Sequence, residues 1–249
     1  LFHHVSAAQG DPYIMQSRFA FDSRERLDDF VRALQGVIDR HDILRTGVVW
    51  QGLERPMQVV WRQATLPVEA LHLDPANGEI AAQLRQRFDG RRYRIDVTQA
   101  PLLRLVHAWD APSQRIVAML MFHHMALDHS ALEVVSQEMQ AFLLGRGERL
   151  GDAVPFRTYV AHALLGVSEQ EHEAFFREML GDIDEPTLPF GLQDVQGDGH
   201  AIEEARREVD AELGRRLRTR ARHLGASAAS LFHLAWAQVL AVVSGKQRV

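Results

Sequence analysis

The chain has no cysteine among its 249 residues. That excludes a disulfide framework, a thiolate nucleophile and a thiolate zinc site. No apolar run approaches the ~18 residues that a membrane-spanning helix needs. The opening stretch, LFHHVSAAQG, carries no lysine or arginine, so it lacks the basic start of a secretory signal. These absences lead us to expect a cytoplasmic protein. An excess of positive charge is missing too. Lys and Arg total 28 against 33 Asp and Glu, a net charge of −5, which gives no general case for binding nucleic acid or an anionic membrane. Methionine is absent at position 1 and the chain stops at SGKQRV, so it reads as a piece of something longer.

What is present is a globular composition, 46% hydrophobic and 24% charged, ample for a core or two small lobes. There is no internal repeat and no low-complexity tract. PYIMQSRFAFD reads as a strand ending at Asp22. Leu27, Phe30, Val31, Leu34, Val37 and Ile38 recur at helical spacing and predict an amphipathic helix over 24–39. ILRTGVVW and PMQVVW read as paired strands across a Gly-containing turn. A helix near 77–88 follows. LLRLVHAWD and RIVAMLMFHH flank APSQ and read as a hairpin of buried strands. SALE fits a capping box, with Ser130 as N-cap and Glu133 reaching back, before a helix whose face is Leu132, Val135, Met139, Phe142 and Leu143. SEQE at 168–171 starts another helix. Residues 181–199, rich in Gly, Pro and Asp, are the linker candidate. A strand around ARREVD and helices over 211–223 and 228–243 complete the expected elements. The last helix is apolar nearly all round and should be buried, unless this chain lacks part of its covering layer.

Two stretches suggest chemistry: LFHHVSAAQGD at the start and LMFHHMALDH near the middle. Each places a His-His pair after apolar residues and an aspartate a few residues further on. The first lies too near the terminus to assign to an element. The second sits where a strand ends and a helix begins, a place from which side chains face clefts. A neutral imidazole there can take or give a proton near pH 7, and a carboxylate can orient it. A plainer reading stays open, in which Asp128 or Ser130 caps the helix and one histidine is core. A metal reading stays open as well, because His, Asp and His are ligand types for zinc or iron. The order His-x-His-x-Asp-His of the lactamase-type metal hydrolases is not met.

HHMALDHS resembles the His-His-x-x-x-Asp-Gly motif of the condensation domains of nonribosomal peptide synthetases, which share the chloramphenicol-acetyltransferase-like fold. RHDILRT at 40–46, APLLRL at 100–105 and PFRTYVAHAL at 155–164 resemble further segments of that family, in order, so the likeness spans nearly the whole chain. It implies an α/β fold with an α+β mixed sheet: a lobe of helices packed on a largely antiparallel or mixed sheet, plus the start of a second, similar lobe. Residues 1–180 would form the first lobe, 181–199 the linker and 200–249 the truncated second lobe. His124 matches the active-site histidine and His123 its supporting neighbour. Asp128 matches the motif aspartate, which the resemblance pairs with an arginine, here Arg45. Where the family has glycine, this chain has His129, which would either narrow a channel or bring another proton carrier.

The N-terminal stretch adds a finer resemblance. HHVSAAQGD, with His3, His4, Val5, Gly10 and Asp11, is similar to the extra motif of dual epimerisation/condensation domains, and PYIMQS after it is typical of that subgroup. The resemblance implies peptide bond formation between carrier-bound thioesters, with epimerisation of the donor residue first. The partners would be upstream donor and downstream acceptor peptidyl carrier domains and an adjoining adenylation domain. Phosphopantetheine would belong to the carriers, and the domain itself would act as a monomer with no cofactor and no metal. The alternatives are an ordinary condensation domain or acyltransferase of the same fold, with the first His pair idle, and a non-catalytic module that docks carrier proteins.

Overall fold

The computed structural model describes residues 1–7, 9–192 and 205–249. The chain divides into two compact units, Leu1–Gly166 and Val167–Val249. The expected linker 181–199 falls inside the second, with residues 193–199 outside the described residues.

The first unit opens with a short helix, α1 (Phe2–Ser6), which carries the first His pair. Strand β1 (Ile14–Phe21) leads into α2 (Arg24–Arg40), capped by the Ser23 side chain accepting from the Arg26 amide. The apolar stripe read from the sequence is the stripe that is buried: Leu27, Phe30, Leu34, Val37 and Ile38 all enter the core. A tight 3-10 turn takes up 42–45, so the strand expected over ILRTGVVW is shorter, β2 (Thr46–Val49). It pairs antiparallel with β3 (Met57–Val60), as expected, in a separate two-stranded ribbon. A strand with no sequence signal, β4 (Val68–Leu71), comes next, followed by α3 (Ile80–Arg87).

The hairpin β5 (Leu103–Asp110) and β6 (Arg115–His123) forms the centre of a four-stranded sheet of order β1-β6-β5-β4. β6 pairs antiparallel with both neighbours, whereas β4 runs parallel to β5, so the sheet is mixed. β6 is apolar along almost its whole length because both faces are covered. Ile116, Ala118, Leu120 and Phe122 face the core shared with α2 and α4 (His129–Leu143); Val117, Met119 and Met121 face the core shared with α3. This alternation of side-chain direction also sets the site. His123, the last residue of β6, follows Met121 onto the α3 face, opposite Ile14 of β1. α5 (Phe156–Leu165) closes the unit.

The second unit contains α6 (Glu169–Leu180), α7 (Ala211–His223) and α8 (Ala228–Ser244). The capping box at Ser168 and Glu171 is present as read. The strand expected around ARREVD is absent, and residues 205–210 have no regular structure. An extended segment needs a pairing partner, and the described residues of this unit supply none. α8 has no buried residue, and Trp236 is 61% exposed. The expectation of full burial is therefore corrected: the helix packs against α7 but keeps much of its apolar surface exposed, the incomplete covering that the sequence reading allowed for. Among the described residues, no single helix is long and apolar enough to cross a membrane.

Candidate active site

The two His cassettes meet at one carboxylate. Asp11 is buried, 1% exposed, and both cassettes bond to the same oxygen. His4 Nδ1 contacts Oδ2, and His123 Nε2 lies 3.0 Å from that atom. Oδ1 accepts from the Tyr13 amide at 2.9 Å. His4 and His123 are themselves buried, with ring centroids 5.7 Å apart, edge to face. Trp50 meets the His4 ring edge-on at 6.3 Å.

This geometry dictates protonation. The Met125 amide donates to His123 Nδ1 at 3.0 Å, so that nitrogen carries no proton, and the proton of the neutral ring sits on Nε2, facing Asp11. Burial holds His123 below its ordinary pKa, and this outweighs the opposing pull of Asp11. For Asp11, burial works to raise the carboxyl, but the His4 bond, the Tyr13 amide and His123 together hold it below the usual carboxylate range. A buried anion is thus flanked by two imidazoles. His123 has both nitrogens engaged, which suits a buttress rather than an acid or base in contact with substrate.

His124 is placed differently. It lies just beyond β6, exposed, and its amide donates to the Tyr13 carbonyl at 2.9 Å. Its Nδ1 lies 2.8 Å from the Leu127 carbonyl. A carbonyl only accepts, so Nδ1 bears the proton and Nε2 of the neutral ring is left as the free base. That is the arrangement a general base requires. The turn from β6 into α4 produces it, since Leu127 is only three residues further on.

Gly10 explains the close of the first cassette. Its φ is +65°, and a Cβ there would fall 2.3 Å from the Arg91 backbone. Only glycine lets Asp11 turn inward at this contact. The Asp11 amide then donates to the Gly90 carbonyl at 2.6 Å.

Other expected site residues stand apart. Arg45 does not pair with Asp128. Its Nη1 donates to the Trp61 and Arg62 carbonyls, while the Asp128 carboxylate accepts from the Ala131 amide at 2.7 Å as the N-cap of α4. Asp128, not Ser130, is the cap, because the helix begins earlier than expected, at His129. The Ser130–Glu133 capping box is therefore not formed. His129 occupies the first position of α4 with its side chain 91% exposed and 3.5 Å from Glu133. Among the described contacts its ring reaches Glu133 and not His123. His3 is exposed, with its ring 5.9 Å from that of Tyr13.

The RHDILRT segment has a different role from the one expected. Arg40 and His41 both reach Glu138 Oε2, at 3.0 and 2.8 Å, tying α2 to α4. Both Asp42 oxygens accept from the Phe156 amide at 3.0 Å, starting α5. These contacts cross about a hundred residues of sequence, so nothing local announces them. Tyr13, whose backbone bonds to both cassettes, carried no role in the sequence reading either.

The chemistry of the donor set fits a divalent metal in type. His4, Asp11 and His123 each offer one ligand atom, all within 4.8 Å of one another. Hydrogen bonding already accounts for all three atoms, and the Met125 amide on His123 holds that ring in the tautomer that donates, not the one that ligates through Nε2.

Comparison with known proteins now gives the class. The Condensation domain family model matches residues 1–249, and the chain belongs to the condensation-domain family. It is 50% identical over its full length to malpinin synthetase and 49% identical over its full length to malpibaldin synthetase, both of Mortierella alpina. It spans only 3% and 4% of those proteins. Chondramide synthase of Chondromyces crocatus is 29% identical over 95% of this chain and 6% of that one. Among solved structures, the cyclization-docking bidomain of the EpoB nonribosomal peptide synthetase from Sorangium cellulosum aligns with a TM-score of 0.71 at 20% identity, covering 98% of this chain and 49% of that one. The condensation domain of the monacolin K polyketide synthase MokA aligns with a TM-score of 0.68 at 20% identity, covering 94% and 55%. At that identity the structural likeness speaks for the fold, which is the mixed α/β condensation-domain fold.

Proposed function

We propose that the chain supplies the first lobe, and the start of the second, of a domain that inverts the donor residue of a carrier-bound thioester and then joins it to an acceptor. The observation that carries this reading is the shared Asp11 oxygen, which binds one histidine from each cassette. The first cassette is thus built into the support of the second. Donor and acceptor would arrive on the phosphopantetheine arms of an upstream and a downstream peptidyl carrier domain, with an adenylation domain adjoining.

In the joining step the acceptor amine attacks the thioester carbon, the carbon–sulfur bond breaks, and the proton lost by nitrogen ends on the departing thiol. The thioester is already activated, so alignment and proton handling are what the protein adds. An α-amino group has a reference pKa near ~8, so much of it must shed a proton at pH 7. His124 Nε2 is the free base for that proton. In the inversion step the α-proton of the donor leaves from one face and a proton returns on the other, with no net change in atoms or electrons. His4 belongs to this step, either by carrying a proton through its Nε2 or by holding His123 and the adjoining His124 in place.

Replacement of His4 by Ala tests the reading in the complete module. Deuterium uptake at the donor α-carbon should fall, while condensation of a donor already in the D configuration continues. Loss of condensation from both L and D donors would instead assign the first cassette to the support of an ordinary condensation site.

A further inference from the structure

Residues 89–94 lie along the first cassette. Gly90 accepts the Asp11 amide, and the Arg91 backbone meets Gly10 so closely that no Cβ fits. The third contact is a side chain. Arg94 Nη1 donates to the Ala7 carbonyl at 2.6 Å, and Nη2 donates to the His4 carbonyl. Helix α1 is only five residues long, and its last carbonyls have no following turn to bond to. The guanidinium supplies donors in place of that missing turn.

We infer that Arg94 is a positioning residue for the first cassette: its fork grips the carbonyls of His4 and Ala7, so that the His4 imidazole stays on Asp11. A planar fork spans two carbonyls at once, whereas an ammonium serves one point. Arg94 does not reach Asp11 or the His123 ring; it acts through the backbone of His4. The inference rests on the proposed role of His4 in inversion, but the grip itself is a separate physical claim.

The test uses the complete module with Arg94→Gln and Arg94→Lys. One arm follows amide exchange in residues 2–7, where Val5 and Ala7 donate to the Leu1 and His3 carbonyls. The other follows α-deuterium uptake by an L-configured donor and condensation of a D-configured one. In Arg94→Gln, amide protection in 2–7 should be lost and α-uptake should fall about tenfold, the scale of one charge-assisted contact. Condensation of the D donor should stay within about twofold, a split that general loss of structure does not produce. Arg94→Lys should recover part of the α-uptake. Unchanged protection in 2–7 overturns the inference, as does an equal fall of both reactions. Unchanged uptake in Arg94→Gln, with the wild type exchanging, overturns it while leaving the epimerisation reading intact. No uptake by the wild type defeats that reading, and protection of 2–7 then decides the grip alone.

Discussion

Asp11→Asn changes one atom at the point where the two cassettes meet. The residue is buried, and its two oxygens accept from three donors: the Tyr13 amide, His4 and His123. Asparagine offers one oxygen and one amino group of the same shape, so no cavity forms. Whichever way the amide turns, its amino group faces a donor. His123 cannot relieve this by moving its proton, because Nδ1 already accepts from Met125. A buried donor left without an acceptor costs about 1–3 kcal/mol, and replacing a charged acceptor by a neutral one removes about 1 kcal/mol from each histidine bond. The total is about 3–5 kcal/mol, which for a unit of 166 residues corresponds to a fall in melting midpoint of roughly 6–20 °C. The carboxyl is held below its ordinary value in the fold. Its contribution is therefore present above the unfolded pKa of ~3.9 and is lost as pH falls through the lower folded value. Thermal melts of both proteins should diverge near neutrality and converge only on strong acidification. A midpoint within about 2 °C of the wild type near neutrality would refute the shared-carboxylate argument.

His124→Ala should abolish peptide bond formation from loaded carriers and leave the melting midpoint unchanged, since the ring is exposed; near-normal product yield would sink the assignment. Asp128→Ala should cost about 1 kcal/mol, the value of a helix N-cap, rather than the several kcal/mol of a broken buried ion pair. Denaturant unfolding distinguishes these. Burial, joined at His107 by the charge of Arg24, holds His107 and His123 below their ordinary pKa. The unfolded chain takes up those protons first as pH falls below ~6.5, so stability should decline on mild acidification before Asp11 is affected. A flat stability profile from neutrality down to roughly pH 5 would contradict this.

Much of the fold was legible from local patterns. The stripe of α2, the β5–β6 hairpin and the capping box of α6 depend on residues a few positions apart, and periodicity reports such contacts directly. β4 escaped because its four residues pair parallel with a strand more than thirty positions away. The cap of α4 stayed open between Asp128 and Ser130, both good caps, and only the path of the chain out of β6 chooses between them.

The sequence by itself determined that the chain carries two His-His cassettes, one at the end of a buried strand, and that its own side chains supply no thiol. It also put a glycine directly before Asp11. What only the tertiary structure decided is which groups touch. Arg45 turned to backbone carbonyls and left Asp128 to its helix. His123 became a buried support as the last residue of β6, while the turn into α4 set His124 Nδ1 on the Leu127 carbonyl and left its Nε2 free. Asp11 reached His123 across 112 positions because β1 pairs with β6 in a register that sets Ile14 opposite His123. Contacts of that kind depend on where two distant segments cross, and no local pattern of residue types records the crossing.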